Sequence, residues 1–345
     1  MSLDVTQIDT AALEAYFVAH VEGYRGPLEA RKFATGQSNP TFLVVAASGK
    51  YVLRRKPPGL LLKSAHAIER EYAVMHALAP TGVPVPRMLA LCEDTSVIGT
   101  AFYVMAHVDG RIFWDPAVPE VSKADRSAIY DDMNRVLVNL HGLNPAAIGL
   151  ADYGRPGNYY ARQIARWGDQ YRASATGVIA DMDALIAWLG NNTPADDGRV
   201  SVVHGDYRID NFIFAPDAPK ITAVLDWELS TLGHPFADLA YQCMQWRLPN
   251  AGEFRGLGGL DKVALGIPDE AAYVALYCQR AGLARIDNWS FYLAFSFFRM
   301  AAILQGVKKR ALDGNASNPE RGLRMGEAVP VLAQLAMQLV SGTHA

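Results

Sequence analysis

"VVHGDYRIDNF", Val202 to Phe212, sets His204, Asp206, Arg208 and Asp210 between two apolar ends. A packing core does not select such a run, because isolated charges pay a desolvation cost there. Val200 to Val203 reads as a short apolar strand that delivers His204-Gly205-Asp206 into a loop, and "NFIF" leaves as a second strand. After the turn "APDAPK", a third strand, "ITAVLD", ends at Asp226-Trp227-Glu228. Asp206 and Asn211 are five residues apart, and Asp226 follows Asp206 by twenty. The reading predicts that these three oxygen-bearing side chains converge at one end of a small sheet. Such a set suits a hard divalent cation and one general base, the parts that phosphoryl transfer uses.

The rest of the chain sets the limits. With 345 residues there is room for two lobes. Half the residues are hydrophobic and 19% are charged, so the chain should fold. A net charge of −3 weighs against nucleic acid as a partner. Cys92, Cys243 and Cys278 are odd in number and far apart, which offers neither a disulfide framework nor zinc spacing. The start, "MSLDVTQIDTAALEAYF", has no basic region followed by an apolar run. The apolar stretch Phe291 to Leu304 contains Arg299 and is short for a bilayer. The expectation is a cytoplasmic protein without a membrane partner. Oligomeric state is left open.

Moving outward from the quoted run, Leu13 to Val21 reads as a short helix. Phe42 to Ala46 and Tyr51 to Arg54 read as strands joined at Ser48-Gly49. "AHAIEREYAVMHALA" is a helix with Ile68, Tyr72, Met75 and Leu78 on one face. "GVPVPRMLALCED" is extended behind its prolines, and "AFYVMAHVDG" is a further strand. From Asp125 the pattern is mainly helical. The expected fold is therefore α+β and bilobal. A β-rich N-lobe with one key helix spans 1–107, and a larger, mainly helical C-lobe spans 108–345.

"HGDYRIDN" followed by "LDWE" resembles the paired motifs of the aminoglycoside phosphotransferase and choline kinase family, small-molecule kinases with a protein-kinase-like fold. "ATGQSNPTFLV", "YVLRRK", "EREYAVMHAL", "GVPVPRML", "FYVMAHVDG" and "GHPFADLA" follow the family's order, over roughly residues 30 to 310. The wording is most similar to the kinase-like domain fused to acyl-CoA dehydrogenases in some larger proteins.

The resemblance implies ATP as donor, with GTP as an alternative, and Mg²⁺ as cofactor. It makes Asp206 the catalytic base and Asn211 and Asp226 the metal ligands. It places Gly36, Gln37, Ser38 and Asn39 of a nucleotide loop beginning at Thr35 around the phosphates. It makes Met105 and His107 part of a hinge whose backbone meets the adenine. Arg54 stands where many kinases carry lysine, and Glu71 is its expected partner across the lobe. Lys56 shares Arg54's face, so either can be the phosphate contact. Strand alternation turns Arg55 outward to solvent. His204 reads as a structural loop residue, and Asp238 as a group bonding backbone beneath the catalytic loop. Arg208 either pairs with Asp210 or touches phosphate. Glu228 either holds a second magnesium through water or caps the loop.

The acceptor is a small molecule with a hydroxyl group. Residues 235–345 carry nine acidic and eleven basic side chains and many aromatics, which fits an anionic or partly apolar acceptor better than a polycation. The resemblance adds a hydroxyacyl group carried on coenzyme A. The alternatives are an aminoglycoside or choline/amino-alcohol kinase, and a pseudokinase that binds nucleotide without turnover.

Overall fold

The structure, a computed structural model, describes residues 8–33, 39–57, 67–252, 255–316 and 318–342. The elements, in chain order, begin with α1 (Thr10–His20), β1 (Leu28–Lys32), β2 (Thr41–Ala46), β3 (Gly49–Arg55), α2 (Ile68–Leu78), β4 (Met88–Cys92) and β5 (Phe102–Ala106). Next come α3 (Lys123–His141), α4 (Tyr159–Ser174), α5 (Ala180–Asn191), β6 (Ser201–Val203), β7 (Phe212–Phe214), β8 (Ile221–Val224) and β9 (Thr231–Gly233). The chain ends with α6 (Phe236–Cys243), α7 (Lys262–Leu265), α8 (Glu270–Ala281), α9 (Trp289–Leu312), α10 (Pro319–Gly326) and α11 (Ala328–Ser341). The fold is α+β, as its composition of elements predicts.

The chain divides into two units. The first is Met1–Ile112, Ile148–Leu150 and Asn211–Ser230. Its five-stranded antiparallel sheet has the order β1-β2-β3-β5-β4. One face buries Leu13 and Phe17 of α1 against Phe42, Val44, Leu53, Phe102 and Val104. Alternation along β2 and β3 supplies this face, since every second side chain turns the same way. β1 was not legible as a strand: Glu29, Arg31 and Lys32 leave it little apolar signal, and it survives at the sheet edge, where charges are tolerated. The unit runs past the expected boundary at 107 and also takes in the β7–β8 hairpin. The reason is long-range backbone bonding: the Val224 N–H donates to Pro84 O, and Arg111 exchanges bonds with Phe214. At Gly110 a Cβ would lie 2.3 Å from Phe214 O, so only glycine permits this approach.

The second unit is Phe113–Ala147, Ala151–Asp210 and Thr231–Ala345. Its centre is α9, which packs against α4, α6, α10 and α11. By length and composition α9 could cross a membrane, yet 78% of its apolar window is buried inside the protein, as in a core helix. It extends well beyond the apolar stretch visible in the sequence, because Lys308, Lys309 and Arg310 continue the helix after the hydrophobic face ends.

The expected single small sheet around the quoted run is instead two separate ladders. β6 pairs with β9, and β7 pairs with β8. Strands of three or four residues carry too few side chains to announce their partner, and β9 ("TLG") has almost no strand signal of its own.

Candidate active site

In the second unit, β6 ends at Val203 and the chain turns through His204 and Gly205, where φ is 86° at the glycine. Asp238, at the first turn of α6 and fully buried, accepts the N–H groups of His204 at 2.6 Å and Gly205 at 2.8 Å. Burial alone would raise the Asp238 carboxyl. The hydrogen bond and charge of His141, with help from His204 and the Gly205 amide, more than reverse this and hold it below its usual range. His141 Nε2 lies 3.4 Å from Asp238, and its Nδ1 meets the Tyr277 hydroxyl at 2.8 Å. His204 is entirely buried and accepts the Asp206 N–H on Nδ1 at 3.1 Å. The loop is thus tied down from within and from below, and Asp206 itself stays half-buried. The Tyr241 hydroxyl donates to Asp206 Oδ1 at 2.6 Å. Burial, and then the Asp206 charge, push the Tyr241 hydroxyl far above its ordinary value, so it remains a donor. Two residues on, Arg208 closes a two-pronged ion pair on Asp210.

The first unit holds a different arrangement. Arg54 on β3 pairs in register with Tyr103 on β5, and both face Glu71 of α2. Arg54 Nε stands 3.1 Å from Glu71 Oε2, an ion pair without hydrogen-bond alignment. Tyr103 donates to the same oxygen at 3.0 Å, and the Asn39 amide donates to the other at 3.0 Å. Glu71 is 1% exposed. On its other side the Arg54 guanidinium reaches Asp226 Oδ1 at 3.2 Å and Glu228 Oε2 at 3.4 Å. The two partners of the buried pair respond differently. Burial would weaken the Arg54 charge, but Glu71, then Asp226 and Glu228, hold it more firmly than usual. Glu71, the more enclosed partner, is pushed up to about 7 by burial, with Arg54 opposing and the other two carboxylates reinforcing.

Asp226 adopts left-handed backbone angles (φ 63°, ψ 60°) just before the turn Trp227–Leu229. An aspartate tolerates this better than most residues, but it remains strained. Trp227 fixes the turn: it is 1% exposed, and its indole N–H donates to Val224 O at 2.9 Å. The β7–β8 register, Phe212 opposite Val224, puts Asn211 and Asp226 at the same end of the hairpin, where Leu225 N–H donates to Asn211 O at 2.8 Å.

The profile of the phosphotransferase enzyme family matches residues 29–265, which contain both arrangements. The chain belongs to this family. It is a small-molecule phosphotransferase of protein-kinase-like fold. The crystal structure of a Ralstonia eutropha protein described as an aminoglycoside phosphotransferase is 52% identical, with a TM-score of 0.90 over 98% of this chain and 100% of that one. Mouse acyl-CoA dehydrogenase family member 10 is 49% identical over 90% of this chain, and human family member 11 is 42% identical over 98%. The chain spans only 29% and 44% of those two proteins. A hygromycin-bound phosphotransferase, APH(4)-Ia, shares the fold at 14% identity, with a TM-score of 0.62 over 96% of this chain and 100% of that one.

Within this phosphotransferase the other expected site residues fall unevenly. Gly36, Gln37 and Ser38 lie outside the described residues. Asn39 is 2% exposed and donates its side-chain amide to Glu71, bracing that carboxylate. In the hinge segment Met105 is buried, the Ala106 N–H donates to Arg87 O and the His107 N–H to Lys50 O. His107 Nδ1 sits 3.4 Å from Asp109. Lys56 pairs with Glu69 at 2.8 Å, which leaves Arg54 alone of the two in the Glu71 cluster. Arg55 is not turned to solvent. It is 4% exposed, with its guanidinium 5.2 Å over the Phe42 ring. In α2, Glu71 and Val74 occupy the buried stripe, and Tyr72 lies at its shoulder, stacked on His76.

The sequence reading missed Tyr241, Tyr103 and His141. Tyr241 was findable: it stands three residues after Asp238 on a helix, one turn along. Tyr103 needed the strand register, and His141 comes from a helix nearly a hundred residues away in sequence, with no local signal.

Proposed function

We propose that the protein transfers the γ-phosphoryl group of ATP to a hydroxyl of a small-molecule acceptor, with Asp206 as the base. The observation that carries this is the pinning of Asp206: its loop amides are anchored on Asp238, and one carboxylate oxygen is fixed by Tyr241. The carboxylate so held is the group we assign to orienting the acceptor hydroxyl and taking its proton. The hydroxyl oxygen bonds to the γ-phosphorus as the bond to the bridging oxygen breaks, and ADP leaves. Orientation is the larger part of the task.

Asn211 and Asp226 fit Mg²⁺ by donor chemistry, since an amide and a carboxylate oxygen are hard ligands. Among the described residues no cluster of three or more His, Cys, Asp or Glu forms a complete metal cage. Mg²⁺ commonly takes only one or two protein carboxylates and fills its shell with water and phosphate oxygens. When bound it neutralises phosphate charge. Arg54, held by Glu71 and within reach of Asp226, is placed to fork onto phosphate oxygens. Nucleotide binding draws further support from the neighbour APH(4)-Ia, solved with AMP-PNP.

For the acceptor we favour a hydroxyacyl group linked to coenzyme A. The names of the relatives at 42–49% identity point to acyl-CoA chemistry. The test is ATP turnover with and without EDTA, against hydroxyacyl-CoAs, free hydroxy acids, amino alcohols and aminoglycosides. Magnesium-dependent phosphorylation of a hydroxyacyl-CoA is expected. ADP release that no hydroxylated compound stimulates would remove the kinase reading.

A further inference from the structure

The apolar stretch Phe291 to Leu304 of α9 carries a single charge, Arg299. A long basic side chain usually carries its head group out to water, but Arg299 is only 6% exposed. Its guanidinium carbon lies 5.7 Å from the ring centres of Trp167 on α4 and Tyr241 on α6. Among the described residues it makes no hydrogen bond and no ion pair. Arg126 in the same unit shows the ordinary case. It is buried to the same degree, at 7% exposed, and its N–H groups donate to the carbonyls of Val118, Val121 and Leu265. Two ring contacts recover only part of the hydration that a guanidinium loses on burial, and they leave its fork of N–H donors without acceptors. A cation so placed calls for a counter-charge from outside the fold.

Room for such a group adjoins. Tyr241 lines a cavity of about 630 Å³, and so does Met300, the residue after Arg299. That volume is within the range that holds small-molecule ligands. The same Tyr241 donates its hydroxyl to Asp206. One side chain therefore meets the proposed base, the cavity and the buried cation. Met244 and Leu248 continue the wall with apolar surface. The two carboxylates of the lining are each engaged by an arginine: Asp210 by Arg208, and Asp115 by Arg255 at 3.3 Å. A polycationic acceptor thus meets no uncommitted carboxylate in this lining.

We propose that Arg299 is a specificity-determining residue, and that the acceptor it selects carries an oxyanion, carboxylate or phosphate, on the same molecule as the hydroxyl. The fork of Arg299 matches two oxygens of such a group. A free hydroxy acid and a coenzyme A ester, which carries phosphates, both meet this condition. The proposal rests on the phosphotransfer reading only for the fate of the hydroxyl, and binding alone tests the oxyanion contact.

The experiment is calorimetry on matched pairs that differ in the anion: 3-hydroxybutyrate with 1,3-butanediol, and glycerol 3-phosphate with glycerol. Saturating AMP-PNP and magnesium are present throughout. The wild type should bind at least one anionic member, and its neutral counterpart about tenfold or more weakly. The pair that shows the gap tells carboxylate from phosphate. Arg299→Met should close the gap through a loss for the anion on the order of 10–100-fold, leaving AMP-PNP affinity as in wild type. Arg299→Lys should keep part of the preference, because the charge persists. Thermal melts give a second readout. Removing a buried cation that lacks a counter-charge should leave Arg299→Met melting at or above the wild type, and the anionic probe should raise the melting temperature of the wild type alone. A lower melting temperature in Arg299→Met would show that the guanidinium is satisfied within the fold, and would overturn the proposal. So would equal affinity within both pairs, no binding of either anion by the wild type up to about 10 mM, or an anion preference that survives Arg299→Met. If 1,3-butanediol or glycerol is phosphorylated as fast as its anionic counterpart, this inference falls and the kinase reading stands. If the anion binds through Arg299 and no hydroxylated compound is phosphorylated, the reverse holds.

Discussion

Two clusters of acidic residues serve this protein, and they are built on opposite principles. The Asp206 loop is held mainly through hydrogen bonds to its backbone: His204 accepts the Asp206 N–H, Asp238 accepts the amides of the turn, and the neutral Tyr241 hydroxyl donates to the Asp206 carboxylate. The Arg54 cluster is held by charge against charge, with one guanidinium reaching Glu71, Asp226 and Glu228. A loop fixed through its own amides, with a neutral hydroxyl on the carboxylate, keeps that carboxylate in place whatever arrives nearby, as the proposed base role requires. A charged cluster redistributes when new charges enter, as phosphates and a cation require. The first should therefore fail through chemistry, and the second through coupling.

The sharpest break in this comparison is Asp206→Asn. It keeps the shape and the loop's internal bonds and removes the proton acceptor. The turnover number should fall by on the order of 10²–10⁴-fold, with AMP-PNP affinity unchanged by calorimetry. Near-normal turnover would move the base elsewhere.

Arg54→Met comes next, with an expected loss of about 10²-fold in kcat and a smaller change in nucleotide Kd. Combined with Glu71→Gln, the double variant should cost less than the singles summed, as for two residues acting as one unit. Strict additivity in kcat/KM would mean that the charged cluster does not act together. In contrast, Tyr241→Phe tests the neutral-donor side. Losing one donor on a fixed carboxylate should lower kcat by roughly tenfold with little change in KM for ATP. An unchanged kcat would show that the loop amides suffice to hold Asp206.

The smallest effect is on stability against pH. Folding raises the Glu71 carboxyl from 4.5 to about 7, so the folded state binds more protons in that interval. The group's stabilising contribution is full below 4.5 and is lost as pH rises through about 7. Thermal melts of the nucleotide-free protein should show wild type losing ground to Glu71→Gln from pH 5 to 7.5. A constant gap would show that Glu71 stays ionised throughout. Asp238 behaves oppositely. Its carboxyl is depressed on folding, so its contribution is present above its usual value of 3.8 and lost as pH falls below it.

The sequence alone determined the family and the order of its motifs. Asp206, Asn211 and Asp226 stand out in the sequence as candidates because polar residues in a short loop contrast with the valines and phenylalanines around them. Glu71 was legible for the same reason, as a carboxylate beside an apolar helix stripe. The alternation that yields β2, β3 and β5 is a local property, so it too could be read along the chain. What only the tertiary structure decided is pairing at a distance. Arg54 and Arg55 differ by one residue, yet one enters the carboxylate cluster and the other lies over Phe42, because neighbouring β-strand side chains meet different layers. Asn39 braces Glu71, Tyr103 joins it by strand register, and His141 supports Asp238 from a distant helix. The three-residue strands β6 and β9 pair with each other across nearly thirty residues of chain, which their own short patterns do not announce. Hydrogen bonds and ion pairs are set by where backbones lie in space, and short polar segments carry too little hydrophobic pattern to encode that position.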